Sequence, residues 1–165
     1  MNQPSAKQSL LVGIGLLLIT FGAPALGVFS PPSDWYQSIN KPTWNPPPWI
    51  FGPVWTALYL MMATAAWLVW KHGKGQDRGE QDQSKKALTA YFVQLALNTL
   101  WTPLFFGIRR IDWAFVDILA LWFAILVCIL TFYRVHRVAA WLMLPYLAWV
   151  TFASVLNATL WVMNR

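Results

Sequence analysis

The chain has 165 residues, a formal net charge of +6, 58% hydrophobic residues and only 11% charged ones. A soluble domain carries about 25% charged residues, so this much apolar surface cannot be hidden inside one small water-soluble globule. The composition excludes a soluble catalytic domain, and the basic residues, confined to short segments between apolar runs, read as membrane topology and not as a nucleic-acid footprint.

In chain order, residues 1–8 form a polar tail and helix 1 is predicted over about 9–29. Ala23-Pro24-Ala25 mimics a signal-peptide cleavage site, but the apolar run before Ser30 is longer than an h-region of about 7–15 residues, so helix 1 is expected to be retained. Gly13, Gly15, Gly22 and Gly27 offer small faces for packing, Ala23-xxx-Gly27 fits a small-xxx-small pattern, and Pro24 predicts a kink. Loop 1 follows over about 30–47. Helix 2 is expected from Pro48, proline being favoured in a first turn, to about residue 70. The polar, Gly-containing stretch KHGKGQDRGEQDQSKK then reads as a flexible connector. Helix 3 is predicted over about 87–107 and helix 4 over about 112–133, joined by a tight turn at Arg109-Arg110. The turn Arg134–Arg137 leads into helix 5, about 138–162. Each run is about 20 residues or longer, enough to cross roughly 30 Å of hydrocarbon. The expected architecture is an all-α integral membrane protein, a five-transmembrane-helix bundle forming a single domain over 1–165 with no internal repeat.

Lys and Arg counts give an orientation. Lys7, Lys71, Lys74, Arg78, Lys85, Lys86, Arg134 and Arg137 lie on one side; Lys41, Arg109, Arg110 and Arg165 lie on the other. In a bacterial inner membrane the excess places the N-terminus in the cytoplasm and loop 1 outside.

The usual catalytic groups are nearly absent. Cys128, the single cysteine, sits inside helix 4 and permits no disulfide or thiol metal site within one chain. His72 and His136 lie at helix ends, which argues against an embedded bis-histidine haem. No metal-spaced cluster, phosphate loop or hydrolytic triad can be assembled, so the chain reads as a binder more than an enzyme.

The polar residues inside helices carry more information. Gln94, Asn98 and Thr102 recur at i, i+4, i+8 on one face of helix 3, bordered by Trp101 and Phe105. They are either interhelical hydrogen-bonding groups or polar contacts for a ligand. Phe51, Trp55 and Tyr59 share a face of helix 2, and Tyr146, Trp149, Ala153 and Asn157 share one of helix 5. At 1.5 Å per residue, Trp55 lies roughly 10 Å below the loop 1 surface, and Asn98, Trp101, Ala153 and Asn157 fall in the same half of the membrane. The three faces can converge beneath loop 1. Trp35, Trp67, Trp70, Trp113, Trp141 and Trp161 suit an interfacial belt; Trp55 and Trp149 are too deep for one. Asp117, the one acid well inside a span, is either a functional carboxylate or a hydrogen-bonding partner for a neighbouring helix or loop 1.

Loop 1 is the densest feature. Seven of eleven prolines fall between Pro31 and Pro53, and four of twelve tryptophans between Trp35 and Trp55. Proline stiffens the backbone and Trp supplies a wide π-face with one N–H donor, so the loop reads as a rigid aromatic lid with Trp44 as its gate.

Four stretches, WYQSINKPTWNPPPWIFGPVWTALY, NTLWTPLFFG, DWAFVDILALW and WLMLPYLAWVTFASVLN, occur in order and span most of the chain. In these the sequence resembles the TspO/MBR family, the tryptophan-rich sensory or translocator proteins also called peripheral-type benzodiazepine receptors, and bacterial members above all. The resemblance implies a five-helix bundle, usually a homodimer in the lipid bilayer, that binds porphyrins, haem-type tetrapyrroles and, in some members, sterols and benzodiazepine-type drugs. It implies no covalent cofactor. The family's pocket residues carry over to Trp44, Trp55, Tyr59, Asn98, Trp101, Trp149 and Ala153; Tyr146 and Asn157 join them on spacing. Some bacterial members degrade porphyrin in light, chemistry that would fall to Trp55 and Trp149. The sterol pattern of animal members places a Tyr late in helix 5, where this chain reads ATLWVMNR and has none.

Overall fold

The computed structural model describes residues 4–23, 34–74 and 77–165. Among these there are six α-helices and no strand. Pro24, Gly27 and the end expected for helix 1 lie outside the described residues, as does the start of loop 1.

Helix α1 (Ala6–Gly22) begins at Ser5, whose hydroxyl accepts the Gln8 amide at 3.2 Å, an N-cap that satisfies one orphan donor. A short helix, α2 (Asp34–Ser38), interrupts the stretch expected to be loop. Pro47 and Pro48 lead through a 3-10 turn (Pro48–Ile50) into α3 (Phe51–Gly73), the expected helix 2.

The polar connector is a correction. α4 (Arg78–Thr102) starts well before residue 87, so most of the charged stretch is helical. The cause is local: Asp77 accepts the Glu80 amide at 3.0 Å, and Asp-x-x-Glu has the spacing of a capping box. One turn on, Lys85 pairs with Asp82 at 3.2 Å. Gly73, buried at the end of α3, faces Ser84 so closely that a Cβ there would overlap the serine hydroxyl.

After Thr102, residues Pro103–Gly107 widen into a π-helical turn closed by Ile108 N–H donating to Pro103 C=O at 2.9 Å. Pro103 has no N–H to continue the α-helical ladder. The predicted tight turn follows, with Arg109 at φ 58°, a left-handed conformation uncommon outside glycine. Then come α5 (Ile111–Val135) and α6 (Arg137–Met163), close to the expected helices 4 and 5. His136 separates them and caps α6 by accepting the Ala139 amide at 3.4 Å.

The 3-10 turn with α3, α5 and α6 are each long and apolar enough to cross a membrane; α1 is a shorter apolar helix. α5 packs along α4 and α6, while α3 packs against α1, α4 and α6. Met62, Tyr91, Ile125, Phe132, Met143 and Tyr146 are fully enclosed among these helices. Tyr91 also bonds to Thr20 of α1 at 2.5 Å. Large apolar residues such as Leu18, Val116 and Phe123 face outward, as a helix in lipid requires. A second core of Phe105, Ile111, Ala114, Leu156 and Leu160 lies at the other end, under Trp35, Tyr36 and Ile39.

Candidate functional site

Three helices meet at the predicted position. On α3, Trp55 stacks on Tyr59 with ring centroids 5.1 Å apart and meets Tyr146 of α6 edge-on at 6.1 Å. Tyr59 donates its hydroxyl to Asn98 Oδ1 of α4 at 3.3 Å, and Asn98 Nδ2 donates to the Tyr146 hydroxyl at 3.0 Å. Tyr59, Asn98 and Tyr146 are all buried. A buried amide is costly unless its donor and acceptor are met; here one tyrosine from each side meets them.

Trp101 and Asn157 form a separate lock. The Trp101 indole donates to Asn157 Oδ1 at 3.0 Å, and Asn157 Nδ2 donates to Ile111 C=O at 3.0 Å. One asparagine thus ties α4, α6 and the start of α5. Trp101 stacks on Phe105 at 4.9 Å.

Trp149 lies between Phe51 (5.9 Å) and Phe152 (5.6 Å), and Phe152 meets Trp44 of loop 1 at 5.9 Å. Trp44 thus reaches the helices through Phe152, a residue that the sequence reading omits although it follows Trp149 on the same face. Ala153 is half-buried against the core and leaves space that a larger side chain would fill. Trp55 and Trp149 are likewise half-buried. Among the described residues no hydrogen bond takes up either indole N–H.

Loop 1 is anchored as well as stiff. Asn40 N–H donates to Asn164 Oδ1 at 2.8 Å, and Asn164 Nδ2 returns a bond to Asn40 C=O at 2.9 Å. Trp35 and Tyr36 pack on Phe105, and Lys41 Nζ sits 4.7 Å from the Tyr36 ring centre. Burial raises the Tyr36 phenol above its ordinary pKa, partly opposed by a hydrogen bond with Asn45. Below this anchor a cavity of about 430 Å³ is lined by residues including Trp35, Arg109, Asp112 and Trp161. At its rim Arg110 makes a two-point ion pair with Asp112, at 2.6 and 2.9 Å, and that hydrogen bonding raises the guanidinium pKa further.

Three side chains have surroundings that spacing alone does not give. Of the polar face on α4, only Asn98 is paired as expected of interhelical groups: Gln94 is fully buried with neither amide atom bonded among the described residues. Asp117 makes no hydrogen bond to a helix or to described loop 1 residues, and its Oδ2 is sealed without a partner. It shares the face of α5 with Ala114, Ile118 and Leu121, none of which offers a side-chain donor. Trp67, assigned to an interfacial belt, donates its indole to Ser9 C=O of α1 at 3.0 Å.

The sequence model of the TspO/MBR family matches residues 13–162. The chain belongs to the TspO/MBR family. The tryptophan-rich sensory protein of Cereibacter sphaeroides is 40% identical over 146 residues, covering 86% of this chain and 87% of that protein. The translocator protein of Homo sapiens is 40% identical over 150 residues, covering 87% and 86%. Protein CrtK of Rhodobacter capsulatus is 35% identical over 142 residues, covering 86% of each. The TspO/MBR match encloses every residue of the α3–α4–α6 cluster, so an integral membrane protein of this family carries its aromatic convergence within the shared region.

Proposed function

We propose that the chain is a five-span membrane receptor that binds porphyrin-type tetrapyrroles at the α3–α6 seam beneath Trp44. In this reading it acts as a homodimer with its N-terminus in the cytoplasm. The observation that carries the binding site is the pair Trp55 and Trp149: half-buried, on facing helices, with N–H groups that no described residue engages. A flat apolar ring system gains most from such surfaces, because stacking on an exposed aromatic face contributes about 1–3 kcal/mol. Tyr59, Asn98 and Tyr146 form the floor. Asn98 is already held on both sides, so it acts chiefly by fixing the two tyrosines, and the longer Tyr59 bond is the one that yields to a guest. The relatives' names, sensory and translocator, agree with a regulatory role in a membrane.

Trp55→Phe is expected to weaken porphyrin binding about tenfold, read as quenching of tryptophan fluorescence during titration of the purified protein. Unchanged affinity removes the seam as the site. Flux of the same porphyrin into liposomes separates a carrier from a receptor: a receptor leaves the rate at its protein-free value.

A further inference from the structure

A second site lies on the opposite half of the bundle, outside the aromatic cluster. Between α1 and α3 runs an open groove of about 200 Å³, walled by Leu10, Ile14 and Leu17 on one side and Ala63 and Trp67 on the other. Gly13 forms its floor: a Cβ there would sit 3.3 Å from the Trp67 ring, a tight contact, so the bare backbone lets the indole lie close against α1, where it reaches Ser9 C=O.

The groove is apolar along most of its length, Thr64 excepted, and two lysines lie beyond one end. Leu10, Ile14 and Leu17 follow Lys7 at i+3, i+7 and i+10, so Lys7 begins the same helical stripe. On α3 the stripe ends at Lys71, one turn past Trp67, and Lys71 Nζ rests 4.9 Å from the Trp67 ring centre. The two helices run in opposite senses, so both lysines stand at the same mouth. Neither helix contains an Asp or Glu. Just inside the mouth, Ser9 lines the groove with its hydroxyl buried and unpartnered among the described residues.

An apolar slot with two lysines beyond one end matches the order of parts in one molecule. We infer that this groove binds an anionic phospholipid, its acyl chain against Leu10, Ile14 and Ala63 and its phosphate at Lys7 and Lys71. Basic pockets between membrane helices select anionic headgroups, and the slot adds a chain contact that a free phosphate could not make. The inference does not depend on the porphyrin reading.

The test is native mass spectrometry of the full chain released from detergent with phosphatidylglycerol or phosphatidylcholine of matched chains. Phosphatidylglycerol is expected to be retained at least tenfold better. K7Q/K71Q should remove that preference, at about fivefold per lysine, while leaving porphyrin quenching unchanged. Thr64→Phe, which fills the slot from an exposed position, should lower retention of both lipids. K85Q/K86Q, an equal loss of charge at the same end, should leave the preference intact. Equal retention of the two lipids overturns the inference. So does an equal loss in K85Q/K86Q, which would make the attraction diffuse, or a Thr64→Phe protein that keeps its lipid and changes oligomeric state, which would seat a second copy in the groove.

Discussion

Trp101 and Trp55 stand near the same end of the bundle and do opposite things with the same side chain. Trp101 gives its indole N–H to Asn157, which in turn holds the first carbonyl of α5. Its chemistry is spent on the fold. Trp55 stacks on Tyr59 and touches Tyr146, yet no described residue takes its N–H, and Trp149 across the seam is the same. An indole is worth burying only when its donor finds a partner. All three tryptophans are half-buried, so the division is one of hydrogen bonding: Trp101 is committed to the fold through Asn157, and Trp55 and Trp149 are not committed to any described residue.

The sharpest way to break that division is Asn157→Leu. It strips the Trp101 indole of its acceptor and removes the second donor from Ile111 C=O, which keeps its bond within α5; an unpaired buried group costs about 1–3 kcal/mol, less where a membrane-embedded reference state finds substitutes. A net loss of about 2 kcal/mol is expected, seen as a thermal midpoint in detergent lower by roughly 4–8 °C. Trp55→Phe, by contrast, should change porphyrin affinity with little change in that midpoint. If the two variants move the same observable, the division is false.

Gln94→Met probes the buried polar group next to Asn98 on α4. Gln94 is fully enclosed with neither amide atom bonded among the described residues, and removing a desolvated amide while keeping the volume should raise stability by about 1 kcal/mol. Thermal unfolding reads this as a midpoint higher by roughly 2–4 °C. A lower midpoint would mean that the amide is in use. Tyr59→Phe is the smallest step. It deletes one long bond to Asn98, 3.3 Å, and should cost about 0.5 kcal/mol, near the average for hydrogen bonds between membrane helices. Its porphyrin affinity should rise if that bond must yield to the guest, and fall if the hydroxyl itself contacts it; parallel titrations decide.

Hydrophobic runs and helical spacing sufficed to assemble this seam from sequence, because Trp55, Tyr59, Tyr146 and Trp149 lie on regular, uninterrupted helix faces. They also placed Asn98 among buried polar groups. What spacing could not reveal is which partner each polar atom finds. Asn98 and Gln94 stand one turn apart on the same stripe, but only Asn98 has tyrosine hydroxyls on both sides. Asp117 occupies an apolar face and meets no donor among the described residues. The start of α4 was readable in Asp77-x-x-Glu80, a local capping signal outweighed in a hydropathy reading by the polar residues around it. The Asn40–Asn164 contact had no comparable signal, since nothing local to either residue names the other.

That last contact bears on timing. Its two residues are separated by 124 positions, so closing it costs chain entropy that local helix formation does not, and it lies at an exposed edge where local opening is cheapest. Loop 1 can therefore detach from the C-terminal end of α6 while the bundle below remains intact. The Asn40 amide proton, held by Asn164 and by no other described residue, exchanges with solvent when that happens, which makes a single hydrogen the clock for loop 1.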